Sequence, residues 1–148
     1  MKTGYICTFA EQSDVEDWIR LVDIVKDNFP GLVMQDYRQT LVKNINRQSA
    51  ICVKHRETIV GILIYSLKQK TLSCMAVHPR HRKMGIATAM IEKMITMFPK
   101  NSEIWVTTFR EDDPKGDAPR ALYKKMGFVE DELVMEFGYP NQKFIFRK

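Results

Sequence analysis

The stretch VHPRHRKMGIATAMIEKM, Val77 to Met94, decides how the rest of the chain is read. It leaves a β-type apolar run, LSCMAV, turns at Pro79, gathers Arg80, His81, Arg82 and Lys83, and enters an amphipathic helix through Gly85. Ile86, Met90, Met94 and Met97, widened by Ile91 and Ile95, mark one face of that helix, with the methionines as core fillers. A helix N-terminus is already electropositive, because its first N–H groups have no partner inside the helix. Adding cations there is unfavourable unless something anionic sits among them. Gly85 lets the backbone approach such a ligand with no Cβ in the way, and the small Ala87 extends the clearance. The amides from Lys83 to Thr88 then form a cradle that fits a pyrophosphate, and Arg80, Arg82 and Lys83 add charge-assisted contacts.

Working outward, Tyr5 to Phe9 reads as a first strand. SDVEDWIRLVDIVKDNF follows as an amphipathic helix capped by Ser13 or Asp14, with Val15, Trp18, Ile19, Val22, Val25 and Phe29 at helical spacing. The triplet Phe29 to Gly31 breaks it, and a second helix covers roughly Met34 to Asn46. Ala50 to Lys54 and Thr58 to Leu67, separated by HRET, predict a hairpin whose turn residues are not the strongest kind. Thr71 to Val77 is the strand before the cradle, and its helix runs from about Gly85 to Phe98. Glu103 to Phe109 is again β-type. After a polar loop, Asp117 or Ala118 caps a short helix, PRALYKKM, that Gly127 ends in a left-handed conformation. Two strands around Gly138 to Asn141 complete the chain. The order β-α-α-β-β-β-α-β-α-β-β predicts an α/β sandwich on a mostly antiparallel sheet. A dinucleotide-binding Rossmann fold fits poorly, since the early strands lack crossover helices and MGIAT has no GxGxxG.

At 148 residues the chain has the length of one domain, 1–148. An apolar share of 45% and a charged share of 28% predict a chain folded almost end to end rather than a disordered one. No window reaches the apolar length of a membrane span, and MKTGYICTFA lacks a signal-peptide core, so a soluble, cytoplasmic protein with no membrane partner is expected. The net charge of +5 is scattered, with RHRK and the terminal RK the only tight groups, which argues against nucleic acid as a partner. Cys7, Cys52 and Cys74 form no CxxC pair and read as reduced core thiols. His78 and His81 lie three apart in a turn without a third ligand at convincing spacing, so no metal is expected.

The element order and two motifs together resemble the GCN5-related N-acetyltransferases (GNAT), a superfamily of acyl-coenzyme A dependent transferases. The first motif is the family's loop of Gln or Arg, two residues, Gly, one residue, then Gly or Ala, met here by Arg82, Gly85 and Ala87. The second is LYKKMGF, Leu122 to Phe128. The resemblance implies a GNAT-like fold and acetyl-coenzyme A as cosubstrate. Its pyrophosphate would lie on Arg82, Lys83, Met84, Gly85, Ile86, Ala87 and Thr88, and its pantetheine arm along Met75, Ala76 and Val77. It also implies a backbone amide, taken as that of Met75, stabilising the oxyanion, and Tyr123 near the sulfur as general acid for the departing thiolate. Direct transfer to a primary amine in a ternary complex would follow; a non-catalytic acyl-coenzyme A sensor or interaction module is the alternative. A covalent role for the strand residue Cys74 is set aside because no base accompanies it.

Two departures from the family pattern stand out. The histone-modifying branch has a glutamate early in the strand before the cradle, where this chain has Thr71. The base is therefore open, with Glu111, Asp112 and Asp113 as candidates for base or for recognition of a cationic acceptor, and Glu130, Asp131 and Glu132 as a second cluster. Many relatives also have Asn and Ala seven and four residues before the tyrosine; Gly116 and Pro119 stand there, leaving Asp117 or the backbone to replace the Asn contact. The apolar terminal strand KFIFRK, together with relatives that dimerise through C-terminal strands, suggests a homodimer.

Overall fold

In the computed structural model, which describes residues 3–108, 114–136 and 138–148, the chain runs through β1 (Tyr5–Phe9), α1 (Val15–Ile24), α2 (Met34–Asn46), β2 (Ala50–His55), β3 (Thr58–Ser66), β4 (Thr71–Val77), α3 (Ile86–Thr96), β5 (Glu103–Thr108), α4 (Asp117–Lys125), β6 (Val129–Glu136) and β7 (Tyr139–Arg147). This is the expected order. The seven strands join in one sheet, β1-β2-β3-β4-β5-β7-β6, antiparallel throughout except where β4 meets β5. No helix among the described residues is long and apolar enough to cross a membrane.

Both sheet faces are covered. Ile51, Val53, Val60, Leu63 and Tyr65 pack with Ile86, Met90, Ile91 and Met94 of α3 and Tyr123 of α4. Ala50, Cys52, Ile59, Ile62, Ile64 and Ala76 pack on the other face against Trp18, Leu21 and Val22 of α1 and Leu41 and Ile45 of α2. A strand buried on both sides needs apolar residues at every position, which is why β3 reads as a continuous run instead of alternating.

Several boundaries differ from the sequence reading for identifiable reasons. α1 stops at Ile24 and a 3-10 turn covers Lys26–Asn28, because Asp27 and Asn28 are weak helix formers and Pro30 disfavours helical backbone at Phe29. Met97 falls outside α3 and is exposed, while Phe98 takes the buried position. Gly116, not Asp117 or Ala118, is the N-cap of α4, since a 3-10 turn at Pro114–Gly116 feeds directly into the helix. Cys52 is buried, but Cys7 and Cys74 are only half-buried; all three are free thiols. The KFIFRK segment lies in β7, between β5 and β6, with Phe144 fully buried. The exposed apolar residues near the C-terminus are instead Val129, Leu133 and Met135 on the edge strand β6.

Candidate active site

β4 and β5 share one bridge, Thr71 to Trp105, closed by the Trp105 amide donating to the Lys70 carbonyl at 2.9 Å. Beyond it the strands separate, and the β5-facing edge of β4 is open through Val77. On its other edge β4 is paired with β3, Leu63 to Met75, Ile62 to Ala76 and Gly61 to Val77. The His78 amide donates to Val60 at 2.8 Å. Alternate residues of a strand point their amides to the same side, so Ala76 also donates toward β3, and the N–H groups of Met75 and Val77 face the gap. The register shift between Ile64 and Tyr65 leaves Ser73 without a partner of its own on β3, a bulge that re-aims the strand just before the open section.

The cradle stands at the end of β4. A 3-10 turn at Pro79–His81, capped by His78 Nδ1 accepting the Arg80 amide at 3.1 Å, leads to Lys83 with φ 62° and Gly85 with φ 80°. Gly85 is the N-cap of α3. Helical pairing begins where Ala89 donates to the Gly85 carbonyl at 3.0 Å, which leaves the amides of Ile86, Ala87 and Thr88 for a ligand. Arg82 and Lys83 are exposed, Met84, Ala87 and Thr88 are half-buried, and none of Arg80, Arg82 and Lys83 joins an ion pair among the described residues. The Ile86 side chain is core, in keeping with its place on the apolar face of α3, and its backbone amide is the group left for a ligand. The core position depends on Gly61, where a Cβ would stand 2.5 Å from Ile86 Cγ2.

All three histidines of the chain gather beside this turn, with His55 stacked on Tyr5 and 5.2 Å from the His81 ring, and the Tyr5 hydroxyl 2.9 Å from His81 Nδ1. Burial first, and then His81 and the neighbouring arginines, hold His78 below the ordinary imidazole value; burial and His55 do the same for His81. No group of His, Cys, Asp and Glu among the described residues is arranged to hold a metal ion.

Tyr123 is buried where α4 ends. Gly127, at φ 96°, lets its own amide reach the Lys124 carbonyl at 3.1 Å and the Phe128 amide reach the Tyr123 carbonyl at 2.9 Å. This pair of bonds is a Schellman cap, and it turns LYKKMGF into a device that fixes Tyr123. The Tyr123 ring packs against Phe128 and Phe144, centroids 5.5 and 5.8 Å away. Burial chiefly, with Cys74 as a lesser cause, pushes its phenol above the ordinary value. On the α1 and α2 face Tyr37 reaches Cys74: its hydroxyl accepts from Trp18 Nε1 at 2.9 Å and shares a hydrogen bond with Cys74 Sγ at 3.5 Å. Burial raises the Cys74 thiol too.

Of the residues singled out, Ile86 and Tyr123 belong to one buried cluster, against which Met75, Val77 and Met84 pack. Glu111, Asp112 and Asp113 lie outside the described residues. Asp117 is engaged by Arg120 Nη2 at 2.6 Å, and Glu130 and Asp131 are paired with Lys124 and Lys143. Gly61, Tyr37 and Glu136 were not singled out by the sequence reading. A lone glycine within an apolar strand is a signal for close approach of another element and marks Gly61; no local pattern marks the other two, which meet their partners only through the fold.

The sequence model of the acetyltransferase (GNAT) domain matches residues 46–130, more than half of the chain. Comparison with curated proteins returned no match. Among solved structures, a GNAT-family acetyltransferase from Bacillus cereus superposes with a TM-score of 0.79 at 21% identity, covering 97% of each chain. Ard1 from Thermoplasma volcanium gives 0.78 at 16% identity, with 98% of each chain covered. The Salmonella typhimurium protein yncA, solved with its cofactor acetyl-CoA, gives 0.69 at 11% identity over 99% of this chain and 94% of that one. With the split between β4 and β5, the glycine-capped α3 and the family match in agreement, the chain belongs to the GNAT superfamily of acetyltransferases.

Proposed function

We propose that the protein transfers the acetyl group of acetyl-CoA to a primary amine by direct attack in a ternary complex. The observation that carries this reading is the one-bridge opening between β4 and β5, with the glycine-capped start of α3 following the open end of β4. The unpaired amides of Ile86 to Thr88 and the cations Arg82 and Lys83 suit the pyrophosphate, and the open edge of β4 offers Met75 to Val77 as a strand for the pantetheine amides to pair with. Acetyl-CoA supplies an activated thioester; the chain supplies alignment and charge stabilisation. As the neutral amine nitrogen bonds to the carbonyl carbon, the Met75 N–H donates to the oxygen that gains negative charge. When the carbon–sulfur bond breaks, Tyr123 gives its proton to the sulfur, while the proton shed by the amine passes to solvent or to a carboxylate. A phenol is neutral at pH 7 already at its ordinary value, and burial moves Tyr123 further in that direction, so the proton is in place when the sulfur leaves.

Calorimetric titration with acetyl-CoA, and with dephospho-coenzyme A for comparison, tests the cradle; micromolar binding that weakens without the 3′-phosphate is expected. Tyr123→Phe should cut turnover about 10- to 1000-fold with acetyl-CoA affinity nearly unchanged. Unaltered turnover would remove Tyr123 from the acid role. Binding with no turnover on any amine would favour a non-catalytic acyl-CoA binding module.

A further inference from the structure

On β5, Ile104 and Val106 are buried against the α3 face. Strand alternation therefore turns Trp105 and Thr107 to the face covered by α1 and α2, the face on which Cys74 and Ala76 of β4 pack. Counting along the two parallel strands from the Thr71 to Trp105 bridge, and allowing for the extra residue at Ser73, Thr107 is level with Cys74 and one residue short of Met75. Thr107 thus stands across the gap from the place where the acyl group would sit. Its hydroxyl donates to Glu136 Oε2 at 2.8 Å. Glu136 comes from β6, two strands from β5 in the sheet, and stands at the hairpin end of that strand, paired with Tyr139, so this bond brings a carboxylate from a distant strand to Thr107.

The surroundings of that carboxylate set it apart from its neighbours. Glu130 and Asp131 on the same strand have Lys124 and Lys143 as partners. Lys143, opposite Thr107 in the sheet, directs its ammonium to Asp131 and over the Trp105 ring, 5.2 Å from the centroid. Glu136 joins no ion pair among the described residues and is half-buried, with Oε1 free of any hydrogen bond there. A partly desolvated carboxylate held at one oxygen and lacking a cation is a receptor for one.

Resting on the reading above, we propose that Glu136 is the specificity residue of the acceptor site and that the acceptor is a diamine-type molecule, its second, non-reacting ammonium bound by Glu136 and Thr107. Acetyl transfer is measured with 1,4-diaminobutane and 1-aminobutane, which share a carbon chain and differ by one ammonium. The diamine is expected to have the higher kcat/KM by about 10-fold or more. Glu136→Gln should remove that preference by raising KM for the diamine, with kcat, the monoamine kinetics and the acetyl-CoA affinity unchanged; Glu136→Asp should restore part of it. Equal kcat/KM for the two amines in the unsubstituted protein, or a preference that survives Glu136→Gln, overturns the assignment. Acetylation of neither amine by protein that binds acetyl-CoA also overturns it, whereas absence of acetyl-CoA binding overturns the enzymatic reading beneath it.

Discussion

The Phe128 amide donates to the Tyr123 carbonyl at 2.9 Å while the two rings pack 5.5 Å apart, so the bond that terminates α4 also fixes the residue proposed as acid. The cap works only because Gly127 adopts φ 96°. Gly127→Ala, which forces a Cβ into left-handed backbone, should destabilise the protein by about 1–2 kcal/mol. It should also lower kcat severalfold with little change in acetyl-CoA affinity, because the phenol moves and the cradle does not. Urea unfolding and steady-state kinetics check both; a stability loss with kcat intact would uncouple the cap from the chemistry.

The approach of α3 to β3 at Gly61 predicts a different split. Gly61→Ala places a Cβ 2.5 Å from Ile86 Cγ2 and 3.3 Å from Met90 Cε. Ile86 opens the helix whose first amides face the ligand, so pushing it away should cost about 1–3 kcal/mol of stability and weaken acetyl-CoA binding. Combined with Ile86→Ala, the substitution should cost less than the sum of the two single changes. Strict additivity in unfolding experiments would mean that the two residues do not touch.

What the sequence shows and what it hides follow from the range of each interaction. The cradle was legible because its parts, Arg82, Gly85 and Ala87, lie within six residues and each has a local backbone reason to be there. The Schellman cap was legible in the same way, from Gly127 alone. The early end of α1 was legible in principle, since Pro30 and the Asp27, Asn28 pair are local signals that outweigh the helical spacing of Phe29. The partnership of Thr107 with Glu136 was not, because 29 residues separate them and only the order β5-β7-β6 makes them neighbours. The same holds for His55, which joins His81 only because β1 and β2 pair at Tyr5 and His55.

The β2–β3 hairpin carries strain that can be relieved. Its turn residues Arg56 and Glu57 both have positive φ, 49° and 71°, a geometry that favours Asn followed by Gly. Glu57→Gly should stabilise the protein by about 1 kcal/mol, a net of relieved backbone strain and added chain entropy, and raise Tm by about 2–4 °C. A fall in Tm in calorimetric scans would mean that the side chain contributes more than the backbone conformation costs.

Alkaline pH should destabilise the protein through its buried thiols and phenols. Burial, aided by Asp14 and opposed by Lys54, pushes Cys52 from an ordinary value of 9.0 to about 12, and burial raises Cys7, Cys74, Tyr37 and Tyr123 as well. Above pH 9 the unfolded chain releases the Cys52 proton while the native chain keeps it, so the native state binds more protons and unfolding becomes easier as pH rises. For Cys52 the stability is full below pH 9.0 and is lost up to about pH 12, at up to about 1.4 kcal/mol per pH unit. Lys54, raised by its hydrogen bond with Asp14, acts in the same direction as it deprotonates. Cys52→Ala should lower stability at pH 8 by the lost packing yet flatten the decline above pH 9 by about one proton, as measured by urea unfolding between pH 8 and 11. A variant whose stability falls as steeply as that of the unsubstituted protein would show that Cys52 ionises as readily folded as unfolded.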